Sequence, residues 1–200
     1  RGIPRNPFMN AGALVVVDHL LSNTDGDESP VLDFLRTESG NDDIEIDALT
    51  VASEQSHGDR NAATAHLLRS FGNLHNDVND VLDAYIEQCS ISMSCEDLAT
   101  AGLFLARDGK RADGSQWLLD SQAKRVNAVM LTSGFYDAAG EFAYSVGLPG
   151  KSGGGGGILA IVPDVCSICV WGPGLDSSGN SLVGMAALSE LSSRTGWSIF

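Results

Sequence analysis

Apolar residues recur at helical spacing through the first two thirds of the chain. Val78, Val81, Leu82, Tyr85 and Ile86 stand at i, i+3, i+4, i+7 and i+8, which predicts an amphipathic helix over residues 76–88. Arg60 to Phe71 reads as another, with Ala63, Leu67 and Leu68 on one side and a stop at Gly72. Pro7 to Leu21 carries the apolar run Ala13–Val17. Ser94-Cys-Glu-Asp97 has the form of a capping box and opens a helix to about Arg107, before Gly109. Asp120 to Leu131, Ser181 to Arg194 and a short piece around Val31 to Leu35 complete the helices. The pattern then shifts to short strands: Glu141–Val146, Gly157–Val162 and Val165–Trp171, the last two flanking Pro163-Asp164 as a hairpin. Helices first and an antiparallel meander later predict an α+β fold in one domain spanning residues 1–200, with no internal repeat.

Composition permits a packed core: 43% of the 200 residues are hydrophobic and mean hydropathy is +0.02. No run approaches the roughly 18 apolar residues of a membrane span. Arg1–Phe8 lacks the apolar run and cleavage site of a signal peptide, so a cytoplasmic location is expected. The net charge of −14 leaves no basic stripe, which excludes nucleic acid and anionic membranes as partners. Eleven of the acids lie between Asp18 and Glu54 with Arg36 as the single base, and read as a solvated face. The stretch Ser22 to Asp47 is the least regular part of the chain.

Cys166-Ser-Ile-Cys169 matches C-x-x-C, but on a strand residues three apart face opposite sides and cannot easily share a metal. These two, with Cys89 and Cys95, are expected to be buried free thiols. His19, His57, His66 and His75 show no ligand spacing, and no metal or other cofactor is expected.

The run Leu148–Gly157 resembles a phosphate loop only at Gly150-Lys151-Ser152. The first glycine of G-x-x-x-x-G-K-[ST] would fall on Ser145, and glycines follow where a helix should start. Lys151-Ser152-Gly153 instead fits the K-[TS]-G strand element of serine β-lactamases and penicillin-binding proteins. The one S-x-x-K match, Ser121-Gln-Ala-Lys124, starts a charged helix and reads as surface rather than nucleophile.

Taken together, Arg5–Ala13, Ser53–Asn61, Gly134-Phe-Tyr-Asp137, Gly147–Gly153 and Asp176–Ser181 resemble the serine-dependent glutaminases of the β-lactamase-like superfamily, in the family's order along the whole chain. The resemblance implies a β-lactamase/transpeptidase-like α+β fold, a helical cluster packed on an antiparallel sheet, incomplete at its N-terminus because the family's S-x-x-K precedes the asparagine motif. It implies hydrolysis of L-glutamine to L-glutamate and ammonia through an acyl-serine, with no activity expected from this chain alone. The assembly implied is a homo-oligomer, tetramer or dimer. Substrate-contacting positions fall on Asn10, Glu54, Asn61, Tyr85, Tyr136 and Gly154, where the family commonly has valine. Catalytic roles fall on Tyr85, Tyr136 and Lys151. Glu54 suits the substrate ammonium, Asn10 and Asn61 its carboxylate, and the Gly154 N–H a developing oxyanion. Taken singly, each has a structural reading: Asn10 a helix cap, Glu54 and Asn61 partners of Arg60, Tyr85 a core tyrosine, Tyr136 a turn aromatic. A non-catalytic glutamine- or glutamate-binding pseudoenzyme is the alternative. A β-lactamase or transpeptidase relative is a third reading, disfavoured without a signal peptide.

Overall fold

The computed structural model describes residues 2–24 and 29–200, so part of the acidic stretch, residues 25–28, lies outside the described residues. The chain divides into two compact units, Arg1–Thr37 with Asn41–Met93 and Glu38–Gly40 with Ser94–Phe200.

The first unit contains α1 (Asn10–Leu21), all but the end of α2 (Pro30–Ser39), β1 (Glu45–Ile46), α3 (Ala48–Ser56), α4 (Asp59–Ser70), α5 (Val78–Cys89) and β2 (Ile91–Ser92). Leu14, Val17, Ala65, Leu68, Val78 and Val81 seal α1, α4 and α5 into one core. The expected apolar side of the 60–71 helix is corrected: Leu67 and Ala63 are exposed, and Ala65 and Leu68 face the core. Two helices cover α4, and their combined demand selects the 65/68 side. The two-residue antiparallel ladder of β1 and β2 is too short to leave an alternation in the sequence.

Asp18 is buried on α1. It accepts the backbone N–H groups of His75 at 3.0 Å and Asn76 at 2.9 Å, and the Asn76 side chain at 3.0 Å, tying α1 to the α4–α5 connection. Burial pulls its carboxyl upward, but the hydrogen bonds from Asn76 and His75 outweigh this and hold it below the usual range.

The second unit contains α6 (Cys95–Ala106), α7 (Asp120–Ser133), a 3₁₀ turn (Tyr136–Ala138), α8 (Ala139–Ser145), β3 (Gly150–Ser152), β4 (Gly157–Val162), β5 (Cys166–Trp171) and α9 (Leu182–Thr195). The sheet order is β3-β4-β5, antiparallel throughout, with Gly150 opposite Ala160 and Leu159 opposite Cys169. Helix α6 packs on β4 and β5, α7 on β3, and α9 on β5. The Ser94/Asp97 capping box and the 163–164 hairpin turn are as expected, with Asp164 at φ +64°.

Residues 141–146 form no strand: they lie in α8 and its C-cap. Glu-Phe-Ala-Tyr-Ser-Val alternates, yet the buried positions are Ala139, Phe142 and Val146, a helical spacing that brings Phe142 onto Phe135 with ring centroids 3.6 Å apart. The expectation of buried thiols is also corrected. Cys89 and Cys95 are exposed, and Cys166 and Cys169 are half-buried on β5. Burial pushes the Cys169 thiol up to about 12, and neighbouring Cys95 adds to the shift.

Candidate functional site

The first unit carries four of the singled-out residues. Asp47 caps α3 by accepting from the Thr50 N–H and hydroxyl, both at 2.7 Å. That helix ends at Ser56, the chain turns at His57-Gly58, and α4 begins at Asp59. The motif Ser53–Asn61 is therefore a helix–turn–helix corner, with Glu54 exposed in the last turn of α3 and Asn61 in the first turn of α4. Asn10 is the first residue of α1, and its Nδ2 donates to Asn61 Oδ1 at 2.8 Å. The pair sits in a groove of about 500 Å³ that Arg5, Asn6, Met9, Arg60 and Thr64 also line. Three amides, of Asn6, Asn10 and Asn61, and the two guanidinium groups of Arg5 and Arg60 give this groove the donors a carboxylate needs.

Tyr85 is half-buried on α5, one helical turn before Cys89. Crowding of its sulfur pushes the Cys89 thiol up even though the residue keeps exposed surface. A Tyr85 hydrogen bond opposes the shift and the Glu54 carboxylate adds to it. Glu54 and Tyr85 therefore lie within electrostatic reach of one sulfur, where α3 packs on α5.

The second unit carries the other three. Gly134 ends α7 against β3 so closely that a Cβ there would stand 1.8 Å from the Gly150 carbonyl oxygen. Only glycine permits that approach, and it lets the Ser152 N–H reach the Gly134 carbonyl at 3.2 Å. Two residues on, Tyr136 sits at φ +52°, an uncommon backbone conformation for a bulky side chain and one the packed surroundings impose. Its ring lies under Lys151, whose Nζ is 4.8 Å from the ring centroid. Lys151 Nζ also donates to the Ser152 carbonyl. Desolvation by burial lowers the Lys151 ammonium to about 8.

Gly153–Gly156 is a tight turn joining β3 to β4. The Gly156 N–H donates to Gly153 O and the Gly153 N–H to Gly157 O, each at 2.9 Å. Gly154 is exposed at its tip with nothing within 4 Å of where a Cβ would be, so valine is sterically permitted there.

Ser121 and Lys124 are both exposed on α7, in keeping with a surface reading. Asp176–Ser181 is an architectural loop. Asp176 Oδ1 accepts from Ser178 N at 2.8 Å and Asn180 N at 2.9 Å, and Ser181 caps α9. Asp18, expected on a solvated face with the other acids, is buried instead, and no local motif marks Trp171 for the contact its indole makes with the Gly155 carbonyl.

Comparison with known proteins covers the whole chain. A sequence model of the family described as Glutaminase matches residues 1–200. A glutaminase of Streptomyces coelicolor is 59% identical over 199 residues, covering 100% of this chain, and this chain spans 65% of that relative's length. A glutaminase of Pseudomonas fluorescens is 54% identical over 201 residues, with 100% of this chain and 67% of the relative covered. Among solved structures, a probable glutaminase of Bacillus subtilis superposes with a TM-score of 0.90 at 34% identity, over 98% of this chain and 67% of that one. A covalent complex of a Bacillus subtilis glutaminase with 5-oxo-L-norleucine, formed by reaction with 6-diazo-5-oxo-L-norleucine, matches with a TM-score of 0.90 at 35% identity, over 98% of this chain and 70% of that one. The α+β fold is thus the β-lactamase-like fold of these enzymes, and the chain belongs to the glutaminase family.

Proposed function

We propose that the protein hydrolyses L-glutamine to L-glutamate and ammonia through an acyl-serine intermediate, residues 1–200 forming part of one catalytic domain. A serine hydroxyl attacks the carboxamide carbon, ammonia leaves as the C–N bond breaks, and water then cleaves the ester to glutamate and free serine. The nucleophile and its lysine belong to a segment N-terminal to residue 1. Asn10 and Asn61 hold the substrate carboxylate and Glu54 its ammonium. Tyr85 and Tyr136 act at the reacting carbon, and Tyr136 passes the proton. Lys151 supplies positive potential, and the Gly154 N–H receives the carboxamide oxygen as it becomes an oxyanion. The relatives' names support the reaction, and the Bacillus complex supports recognition of a glutamine-like skeleton.

The observation that carries this assignment is one cluster in the second unit: a desolvated Lys151 ammonium on the Tyr136 ring, on the strand that leads into a turn with Gly154 at its tip. A desolvated cation beside a backbone donor is the arrangement that stabilises developing negative charge. The family resemblance further suggests a homo-oligomer of two or four copies.

The test is a coupled ammonia assay on the longer protein and on residues 1–200 alone. Turnover by the longer protein and none by residues 1–200 is expected. Glutamine binding by calorimetry without turnover in the longer protein would favour the pseudoenzyme reading. Activity of residues 1–200 that Ser121→Ala abolishes would move the nucleophile to Ser121.

A further inference from the structure

Trp171 closes β5 and is 61% exposed, an expensive place for the largest aromatic residue. Its indole Nε1–H donates to the Gly155 carbonyl at 2.9 Å. The next backbone N–H, of Gly172, donates to Gly156 O at 3.0 Å. The end of β5 thus grips the far side of the glycine turn.

We propose that Trp171 is a positioning residue that aims the Gly154 N–H, an inference that rests on the oxyanion role given to Gly154 above. The peptide group joining Gly155 and Gly156 is planar and trans, so its C=O and N–H point in opposite directions. Trp171 holds the oxygen, and Gly153 O holds the hydrogen at 2.9 Å. One plane is therefore pinned from both sides. The second bond fixes the direction of the Gly153 carbonyl, which shares its own plane with the Gly154 N–H. That N–H must then point away from the turn's interior, and no backbone acceptor takes it among the described residues. Gly156, at φ +91° with its Cβ position 2.4 Å from Gly172 O, lets β5 approach this closely.

Without the indole, the Gly155 carbonyl is unheld and the tip rests on the backbone bonds of Gly153, Gly156 and Gly172 alone. Gly154 and Gly155 have no side chains, and nothing lies within 4 Å of either Cβ position. Consecutive glycines populate more backbone conformations than any other residues, so an unpinned turn would spread the N–H over many directions. A donor is effective in a transition state only when it is already aimed.

The test replaces Trp171 in the active longer protein with 3-benzothienylalanine, which keeps the ring shape and substitutes sulfur for the N–H. Trp171→Phe serves as a second, genetically simpler variant. Kinetics with L-glutamine should show kcat about tenfold lower in both, part of the roughly 10²–10³ that an oxyanion donor is worth. KM should stay within about twofold, because ground-state binding does not use this N–H. The melting temperature of the benzothienyl protein should match wild type. Unchanged kcat in the benzothienyl protein would overturn the inference. So would an equal loss in KM and melting temperature, the signature of a merely structural tryptophan. Lys151→Met separates the two levels. If it inactivates while the benzothienyl protein keeps full kcat, only the Trp171 inference fails. If it leaves activity intact, the site assignment itself fails.

Discussion

The two units place the charged side chains of the proposed site, Glu54 and Lys151, under opposite conditions. In the first, Asn10 and Glu54 are exposed at helix ends, and the Asn10–Asn61 bond lies at the surface. In the second, Lys151 is desolvated, Tyr136 sits at a positive φ, and both are fixed by the contact of Gly134 with β3. Recognition by hydrogen bonds needs donors and acceptors that still face water when unoccupied. Stabilising charge at a reacting centre needs groups whose energies are already perturbed. Under the proposed roles, the first unit can therefore lose a site residue at little cost in stability, whereas the second carries destabilisation as part of its chemistry.

Lys151→Met should break this contrast most visibly. In the longer protein kcat should fall about 10³-fold or more, while the pure fold gains stability at neutral pH because a desolvated charge is gone. The sign follows from proton binding. Folded Lys151 releases its proton near 8 and the unfolded chain near 10.5, so between those values the unfolded state binds more protons and wild-type stability rises with pH. Thermal melts from pH 7 to 10.5 should show the variant's advantage shrinking across that window. A constant gap would mean that Lys151 is not desolvated.

Glu54→Gln should act on recognition alone. Loss of a charged hydrogen bond costs about 1.5–3 kcal/mol, or roughly 10–100-fold in kcat/KM, carried by KM. An accompanying fall in melting temperature would show that Glu54 holds α3 on α5 instead of binding substrate. Asp18→Asn should do the reverse. Breaking the buried network should cost about 2 kcal/mol and lower the melting temperature by roughly 4–8 °C, with kcat unchanged at 20 °C. In wild type this contribution is present above the ordinary carboxyl value of 3.8 and is lost as pH falls through the lower folded value. Ser121→Ala, at an exposed α7 position, should change kcat by less than about twofold.

Most helices were legible because one face of each is apolar at a regular period, as Val78, Val81 and Ile86 of α5 illustrate. The K-S-G element was legible as a strand, which the structure has at Gly150–Ser152, leading into a glycine turn. What escaped depends on contacts distant in sequence. Residues 141–146 alternate like a strand, but Ala139, Phe142 and Val146 are buried at helical spacing in a core built from residues distant in sequence. Nothing near Asp18 in sequence announces that residues 75 and 76 will donate to it. Local pattern assigns Trp171 to a strand end and says nothing of the Gly155 carbonyl it holds.

The most direct measurement is kcat of the longer protein with Gly154→Val and Gly154→Pro, the fold of each checked by circular dichroism. A Cβ at Gly154 meets nothing within 4 Å and valine keeps the N–H, so its kcat should stay within about one decade of wild type. Proline removes the N–H and should cost at least about 10²-fold. Equal rates for the two variants would contradict the assignment of the oxyanion donor to Gly154, and with it the view that the second unit's glycine turn carries the chemistry.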